Sequence, residues 1–509
     1  MLIFKFFPLL VCAKQKHYLM KRLNLLILSV LVSTPVLYAG GLVTNINQSA
    51  AWARTLTRHA TYGIDAAYFN PAGLTKLNNG FHFSLSNQTI TQTRTVTSDY
   101  MYLNGNPKTY EADLIAPVFP SAYAVYNMGK WAFAAGFNII GGGGSAGFES
   151  GLPDFEVPIA SLVPMLYGSL YDLDMGIEAQ TGWDPGYRNV SGYDMSSSFS
   201  GTSAYYGIQA GASYAINDMI SVYLGGRYLM ANNSYEGSLT GVTVDAPYGG
   251  IQPPGDYVRR IVGTLETLPP SPEMDEAITM LNDNATVLDD MTADAELKAS
   301  QSGSGFAPII GVNLHFSDML NVAVKYEHHT KIELTNDTEA DSLGMFHDGE
   351  KVRADLPSMF AVGARVNLIK NLSATIGFNY YLDKSAYYGK TDDDSGEQIN
   401  DESSIDDNGY TWAVSLEYKI IKMLGVSAGY TGGNNGVNDN YQSGITYALK
   451  SRTYGGGFFV EVGDLLTFNA GINWTKYDDY SQPLMAVESY TDTYTKETML
   501  FAFGVDISF

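Results

Sequence analysis

Cysteine is almost absent from this chain, which holds a single one, Cys12, in 509 residues. One cysteine cannot build a disulfide scaffold. Positive charge is also scarce, because 30 Lys and Arg residues stand against 53 Asp and Glu residues. Phosphate binding needs a positive surface, so we expect no nucleic acid among the partners. After residue 40 no apolar run approaches the roughly 20 residues that a membrane-spanning helix needs, which excludes such helices there.

What the chain does contain is glycine and tyrosine, with 52 Gly and 36 Tyr residues. Only 16% of the residues are charged, and the mean hydropathy is −0.07. This combination suits a soluble all-β protein or a transmembrane β-barrel, whose apolar outer face and polar lumen average to neutrality.

The N-terminus has the features of an export signal. Met20-Lys21-Arg22 precedes an apolar run, Leu23 to Leu37, that closes on Ala39. A basic start, a short apolar core and a small residue at the cleavage site are typical of a secretory signal peptide. We expect cleavage after Ala39, with residues 1–19 as an upstream extension of the signal. Cleavage would remove the cysteine, five cations and no acid, which takes the formal net charge from −23 to −28.

The pattern of the rest of the chain predicts β-hairpins, in which tight turns alternate with long connections. Six tight turns of Asn, Asp, Gly, Ser or Lys lie between alternating apolar runs, at 126–131, 214–222, 315–322, 367–374, 419–426 and 460–468. Seven longer connections lie between them, at 98–116, 142–199, 245–298, 337–350, 389–409, 432–441 and 478–493.

These thirteen connections join about fourteen strands. Long loops on one side and short turns on the other are typical of an outer-membrane barrel, whereas a soluble sandwich has no reason to separate its loops by length. In the last strand, 499–509, large apolar residues alternate with small or polar ones, as lipid and lumen faces require. The chain ends on Phe509, a terminal aromatic of the kind that barrel-assembly machinery reads. The sequence therefore predicts an all-β fold, an antiparallel transmembrane barrel over 80–509.

A barrel of about fourteen strands is too wide for its own side chains to fill, so something must narrow it. Residues 40–79 precede the first strand and are the material available. The segment "NQSAAWARTLTRHAT" (47–61) can form a short helix. Pro71 holds its own φ near about −65° and restricts Asn70 to an extended conformation, which makes a rigid corner. We therefore predict a hatch with short helices, formed by residues 40–79, inside the lumen.

The stretch "GGLVTNINQSA" (40–50), the corner Asn70-Pro71-Ala72-Gly73 and a first strand starting near Phe81 resemble the FadL/OmpP1/TodX family of long-chain fatty acid transporters. The resemblance implies fourteen strands and a hatch carrying an Asn-Pro-Ala motif. It also implies capture of a hydrophobic ligand outside, passage into the lumen, and release past the hatch through a gap in the wall. We accordingly expect a monomer in the outer membrane of a Gram-negative bacterium, in contact with membrane lipid and with barrel-assembly machinery during insertion, without a cofactor.

The first candidate ligand contacts are apolar residues in the outer loop 142–199. An apolar cluster outside the bilayer is often a binding surface. It can also form a small core with neighbouring loops, and the two interpretations are compatible. The cluster comprises Phe155, Val157, Ile159, Leu162, Val163, Met165 and Leu166. A second loop carries an amphipathic helix after Ser271, a plausible N-cap, with Pro272 at the first helical position. That helix would complete a capture groove or pack on the barrel rim.

The second candidates are cations on the lumen side of their strands. By alternation, Arg227, Lys325 and Arg365 point inward, where they would hold a carboxylate head group or pair with lumen acids such as Glu327. The adjacent pair His328-His329 faces opposite ways and cannot jointly bind a metal, so we expect no metal site. The acidic loop 391–407 lacks the spacing of a calcium loop and is interpreted as solvated charge.

Other functions remain as alternatives. We find no Gly-x-Ser-x-Gly elbow and no Ser, His and acid set, so an enzyme is not expected. A general porin for small polar solutes would conduct ions steadily and would need neither a hatch nor an apolar outer loop. A surface adhesin would use the long loops. For an opening in the wall, the candidate is the glycine-rich segment "IIGGGGSAG" (139–147), since glycine weakens strand pairing.

Overall fold

The computed structural model describes residues 49–268, 270–342, 344–390, 404–485 and 488–509. The predicted signal peptide, its cleavage site at Ala39 and most of the acidic loop lie outside these residues. No helix in the described ranges is both long and apolar enough to cross a membrane.

One antiparallel sheet closes on itself to form the molecule. The strands in the described ranges are β1 Gly80–Ser98, β2 Lys108–Met128, β3 Trp131–Phe148, β4 Gly192–Ala215, β5 Ile220–Ala246, β6 Gly250–Gln252, β7 Ala295–Ser317, β8 Leu320–Glu327, β9 Glu333–Asp341, β10 Lys351–Ala354, β11 Met359–Ile369, β12 Leu372–Tyr381, β13 Tyr388–Lys390, β14 Tyr410–Ile421, β15 Leu424–Asn434, β16 Ser451–Val462, β17 Leu466–Tyr477, β18 Tyr480–Met485 and β19 Ser489–Ser508.

These strands build fourteen wall strands, as predicted. Four wall strands consist of two consecutive pieces each, namely β8 with β9, β10 with β11, β12 with β13, and β17 with β18. The short strand β6 lies beside β5 and adds no wall strand. Pairing of β1 with β19, from His82↔Ser508 to Ser98↔Asp492, closes the barrel.

All six predicted tight turns are present. They join Met128 to Trp131, Ala215 to Ile220, Ser317 to Leu320, Ile369 to Leu372, Ile421 to Leu424 and Val462 to Leu466. The predicted loop 478–493 is wrong, because β18 and β19 continue the hairpin there with Tyr480 opposite Tyr494. Alternating Tyr and Thr residues favour a paired strand over a loop. The first long loop is shorter than predicted, since β2 already begins at Lys108.

The wall strands alternate between an apolar outer face and an inner face of small or polar residues. On β19, Phe501 and Phe503 are 51% and 60% exposed, whereas Ala502 between them is buried. On β5, Leu224 is 69% exposed and Arg227 is 2% exposed. Large apolar side chains therefore face outward where lipid would meet the barrel.

The two longest loops carry helices. They are α3 Pro153–Ala160, α4 Leu162–Thr181, α5 Pro254–Leu265 and α6 Pro272–Thr292, preceded in the chain by α1 Ala50–Ala53 and α2 Ala66–Phe69. Helix α6 confirms the predicted helix and its cap, since Ser271 Oγ accepts a hydrogen bond from Met274 N at 3.2 Å. Helices α3, α4 and α5 were not predicted.

Together α3 to α6 form a cap over the long-loop end of the barrel, held by one apolar core. Ile159 and Leu162, two of the candidate ligand contacts, are buried in that core at 5% and 0% exposure. The apolar residues of α3 and α4 pack against those of α5 and α6. The cluster therefore forms the small core that the sequence analysis gives beside a binding surface. Phe155 and Met165 are half-buried, and the Phe155 ring lies 5.8 Å from the Phe199 ring.

Candidate functional site

The N-terminal hatch lies inside the barrel, where it spans 49–79 in the described residues. It consists of α1, α2 and a 3₁₀ turn, Pro71–Lys76. The helix predicted within 47–61 is only the single turn α1, which Ser49 caps by accepting a hydrogen bond from Trp52 N. It stops early because Leu56 has a φ of 62°, outside the helical region. After Leu56 the hatch backbone accepts hydrogen bonds from wall side chains. For example, Asn321 Nδ2 donates to Ala60 O at 2.9 Å.

Glycines on the inner wall let the hatch backbone lie directly against the strands. A Cβ on Gly471 would come within 2.7 Å of Arg54 N, and one on Gly457 within 2.8 Å of Arg54 Cβ. A Cβ on Gly429 would overlap Thr55 O. These glycines lie on the neighbouring strands β17, β16 and β15. Together they form a surface without side chains, and a larger residue there would clash with the hatch backbone.

The Asn-Pro-Ala-Gly corner is clamped by side chains of three strands. Ser213 Oγ donates to Pro71 O at 2.6 Å, and Ser221 Oγ donates to Ala72 O at 2.6 Å. Asn70 Nδ2 donates to Asn313 Oδ1 at 2.8 Å and to Thr61 O at 3.2 Å. The wall thus fixes the corner through hydrogen bonds to the backbone carbonyls of Pro71 and Ala72 and to the side-chain amide of Asn70. These hydrogen bonds require the backbone conformation that Pro71 imposes.

Buried ion pairs hold the first part of the hatch. Arg54 Nη1 lies 2.5 Å from Glu417 Oε2, and Arg365 Nη2 lies 3.2 Å from the other oxygen of the same carboxylate. Within the hatch, Asp65 accepts two hydrogen bonds from Arg58, each at 2.8 Å. Removing one member of such a pair leaves an uncompensated buried charge, which is strongly unfavourable.

The predicted head-group cations point inward as expected, but each already has a carboxylate partner. Arg227 Nη1 lies 2.7 Å from Glu327 Oε1. Lys325 Nζ lies 3.8 Å from Glu327 Oε2 and donates to Tyr68 O of the hatch at 2.9 Å. Arg365 shares Glu417 with Arg54. The pairing with lumen acids that stood as the alternative is present for all three cations, and Lys325 also bonds to the hatch backbone.

Above the hatch lies a cavity of about 600 Å³. Trp52, Leu56, Tyr68 and Phe69 of the hatch form its floor. The wall strands contribute apolar side chains, including Ile90, Leu114, Phe148, Phe199, Tyr235, Tyr477 and Leu500. Connections between strands add Phe346, Tyr447 and Leu449. Concave, mostly apolar sites of this size with a few polar groups are typical of small-molecule binding.

The polar groups of the cavity include two cations, Arg94 and Lys496, that sequence reasoning missed. Their strands are β1 and β19, which meet only when the barrel closes, so nothing in the local sequence links them. Asp383 also lines the cavity, on the connection between β12 and β13, and its carboxylate accepts a hydrogen bond from Gly409 N at 2.7 Å.

The wall has a gap beside this cavity. The ladder between β2 and β3 ends at the pair Ser121↔Asn138, although β2 begins at Lys108 and β3 continues to Phe148. Beyond that pair β3 bends toward β4, with register shifts between 139 and 141 and between 142 and 144. Gly142 has a φ of 67°, and a Cβ there would overlap Ser203 O. The backbone irregularity predicted for 139–147 is therefore present.

The β2 side of the gap contains Pro117 and Pro120, which have no N–H to offer a strand ladder. Next to Pro117 the register between β1 and β2 shifts, and Asn87 bridges the irregularity. Asn87 Oδ1 accepts from Phe119 N at 2.9 Å, and Asn87 Nδ2 donates to Pro117 O at 3.1 Å. Ala116 of β2 and Gly142 of β3 both line the cavity, so the cavity reaches the gap from inside. The two prolines indicate interrupted strand pairing already in the sequence, and the sequence analysis missed this signal.

Two other breaks in the wall are closed by side chains. The break between β8 and β9 lies beside the break between β10 and β11, and the bridge Thr330↔Leu356 joins them. Asp355 accepts hydrogen bonds from Ile332 N at 3.1 Å and lies 2.7 Å from His329 Nε2. A filled break of this kind offers no passage.

The two adjacent histidines have separate partners. His328 Nδ1 lies 2.9 Å from Tyr326 Oη, whereas His329 Nε2 contacts Asp355. In the part of the chain that the structure describes, no group of three or more His, Cys, Asp or Glu residues is arranged to hold a metal ion.

Known proteins match this chain in structure and not in sequence. No protein-family model and no curated protein matches it. A Pseudomonas aeruginosa FadL homologue has a TM-score of 0.57 at 13% identity, over 92% of this chain and 100% of that one. The Pseudomonas putida toluene transporter TodX has a TM-score of 0.52 at 13% identity, over 92% and 100%. A deltaS2 mutant of TodX, described as a monoaromatic hydrocarbon channel, has a TM-score of 0.54 at 13% identity, over 91% and 99%. The chain therefore has the fold of FadL-type channels.

Proposed function

We propose that this protein is an outer-membrane channel that takes up hydrophobic compounds, most directly long-chain fatty acids. The ligand enters from the long-loop end, binds in the cavity above the hatch, and leaves through the gap between β2 and β3. The observation that carries this proposal is an apolar cavity whose floor is the hatch and whose side reaches the wall gap at Ala116 and Gly142.

The physical argument is that an apolar ligand avoids water along this route. Each Å² of apolar surface kept from water is worth roughly 25 cal/mol, so passage from an apolar cavity sideways into lipid costs little. The straight route through the hatch would instead require breaking the Arg54–Glu417 ion pair and the hydrogen bonds between hatch and wall. The hatch also argues against a general porin, because it occupies the lumen that polar solutes would need. The residues that we assign to the passage act by shape and apolar contact, and we expect no enzymatic activity.

Native mass spectrometry tests the proposal directly. The purified barrel is incubated with palmitate, toluene and a short sugar, and its conductance is measured in a planar bilayer. We expect retention of palmitate and little steady current, because the hatch fills the lumen. Retention of toluene alone would replace fatty acids by monoaromatic compounds as the substrate class. Steady conductance with no apolar ligand retained would refute the transporter and indicate a porin.

A further inference from the structure

Three side-chain oxygens lie in one row at the long-loop end of the barrel seam, where β1 pairs with β19. Ser98 of β1 is the Cα partner of Asp492 of β19, and Asp492 is in turn the Cα partner of Gln482 of β18. Side chains of directly paired residues lie on the same face of a sheet, so these three side chains are neighbours. Ser98 is 0% exposed and Asp492 is 3% exposed, which places the row on the buried face of the wall.

The three oxygens have no hydrogen-bond donor in the part of the chain that the structure describes. Ser98 Oγ, Asp492 Oδ1 and Gln482 Oε1 are each buried, and none of them makes a hydrogen bond of ordinary geometry. Buried polar atoms without a partner are uncommon in proteins, and an unmatched carboxylate is the most unfavourable kind. Three such oxygens on adjacent strands form a set of electron-pair donors, which is what a cation binds.

The surroundings of Asp492 are negatively charged. Asp99, which follows β1, and Asp154, at the start of α3, are near enough to repel the Asp492 carboxylate. Asp99 Oδ1 accepts a hydrogen bond from Thr491 N at 2.6 Å, and Asp154 Oδ2 accepts one from Gly444 N at 3.1 Å, so both acids are held in place. Among the described residues, none of the three carboxylates takes part in an ion pair.

The cation beside this row is matched to a different acid. Lys108 of β2 is the Cα partner of Ser98 on its other side, but Lys108 Nζ lies 2.7 Å and 2.6 Å from the two carboxylate oxygens of Glu156. The cations Arg94 and Lys496 lie four residues further along β1 and β19, roughly 13 Å from the row at about 3.3 Å per residue. The junction between α3 and the wall therefore contains one matched carboxylate and one unmatched carboxylate.

We infer that Ser98, Gln482 and Asp492 form a binding site for a calcium ion. Calcium binds about six to eight oxygens from carboxylates, amide carbonyls and water in a flexible arrangement, whereas magnesium demands near-ideal octahedral geometry. Asp492 supplies the charged oxygen, Gln482 the amide oxygen and Ser98 a hydroxyl oxygen. Two of these ligands are neutral, so the set differs from the groups of His, Cys, Asp and Glu considered above.

A calcium ion at this position has a structural role, which is independent of the proposed function. It would hold the first and last wall strands together where the seam meets the cap. It would also offset the repulsion among Asp492, Asp99 and Asp154, and Asp154 belongs to α3 of the cap. The site therefore stabilises the seam and the start of α3 together.

Hydrogen exchange of the purified barrel during a calcium chloride titration tests this inference and locates the ion. We expect exchange in 98–103 and 489–494 to slow with a midpoint of about 10⁻⁴–10⁻³ M, the range of extracellular calcium modules. At ten times that concentration the exchange should be about tenfold slower, because the ion binds the closed state alone. Exchange in β14 and β15 should not respond. Magnesium should act at concentrations about tenfold higher.

Three variants identify the ligands. Asp492→Asn removes the charged ligand and should raise the calcium midpoint by at least about tenfold, since charge count sets calcium affinity. The double variant Ser98→Ala with Gln482→Leu keeps every charge and should raise the midpoint by about three- to tenfold. Glu111→Gln is the control, because Glu111 is an exposed acid on the outer face of β2. Its midpoint should equal that of wild type.

Each other outcome overturns the site. Exchange in 98–103 and 489–494 that ignores calcium in wild type shows that Asp492 holds a proton or water instead of a calcium ion. A calcium response that survives unchanged in Asp492→Asn places the ion elsewhere, for example in the acidic loop 391–407. An unchanged midpoint in the double variant shows that negative potential attracts calcium without these ligands. Wild-type exchange in β14 and β15 verifies that each variant is folded.

Discussion

At the scale of single residues, the hatch depends on positions where an extra atom cannot be accommodated. Gly73 closes the Asn-Pro-Ala-Gly corner, and a Cβ at this position would overlap Asn70 Nδ2. That amide is the group that ties the corner to Asn313 and Thr61. Glycine is therefore required at position 73 by the packing of the Asn70 side chain. The motif sequence alone does not reveal this requirement.

Gly73→Ala should loosen the hatch. The added methyl displaces the Asn70 amide, and losing its two hydrogen bonds costs about 1–3 kcal/mol of hatch stability. We expect a higher conductance in planar bilayers than wild type shows. Gly168→Ala is the matched control, since a Cβ at Gly168 on α4 meets no atom within 4 Å. Conductance equal to that of the control would show that the corner does not hold the hatch.

At the scale of elements, a buried carboxylate helps to join the cap to the wall. Glu156 of α3, 3% exposed, lies 2.6 Å from Lys108 Nζ and accepts hydrogen bonds from Tyr110 Oη at 2.9 Å and Tyr193 Oη at 2.7 Å. These partners come from β2 and β4. The carboxylate thus ties α3 to β2 and β4, and the apolar core of the four helices also includes Tyr193 of β4 and Val244 of β5.

Glu156→Gln should release the cap while leaving the barrel folded. The amide keeps the shape of the side chain but loses the ion pair and cannot accept from both tyrosines with both of its polar atoms, at a cost of about 1.5–3 kcal/mol. We expect faster proteolysis and faster hydrogen exchange in 153–181, with unchanged exchange in the wall strands. Glu149→Gln, an exposed acid in the same loop, is the control. Equal protection in both variants would contradict the role of Glu156.

At the scale of the whole molecule, a wide barrel is closed along its axis by the hatch and opened at its side by the gap. The two features are complementary, because the Arg54–Glu417 ion pair and the hydrogen bonds to the wall fix the hatch, whereas β2 and β3 are unpaired at the gap. The proposed sideways release would deliver an apolar compound into lipid without exposing it to water.

Ala116→Trp should slow this sideways release. Ala116 is 5% exposed and lines the cavity at the gap, so the indole would fill the passage. We expect about tenfold slower transfer of a fluorescent long-chain fatty acid into the lipid of proteoliposomes, with its retention by the detergent-solubilised barrel preserved. Ala413→Trp adds the same volume on the opposite wall, where Ala413 is also buried and lines the cavity. It should lower retention and transfer together. Parallel behaviour of the two variants would argue against the lateral route.

The sequence by itself determined the barrel, its fourteen wall strands, the six tight turns, the irregularity at 139–147 and helix α6. These are local features: two-residue alternation, turn chemistry, glycine content and three-to-four-residue spacing all act within about 20 residues. Prediction was less accurate where tertiary contacts competed with a local preference. Residues 47–61 favour a helix, yet wall contacts stop it after one turn, and the outer apolar cluster joined a core instead of a surface.

Only the tertiary structure decided which charges are matched. Alternation placed Arg227, Lys325 and Arg365 inward, but whether each meets an acid depends on strand register around the closed barrel and on how the hatch fits. Arg94 and Lys496 are 402 positions apart and become neighbours only because β1 pairs with β19. The cavity and the gap arise in the same way, since they are defined by which strands fail to meet. Such relations are set by long-range packing, and no window of sequence contains them.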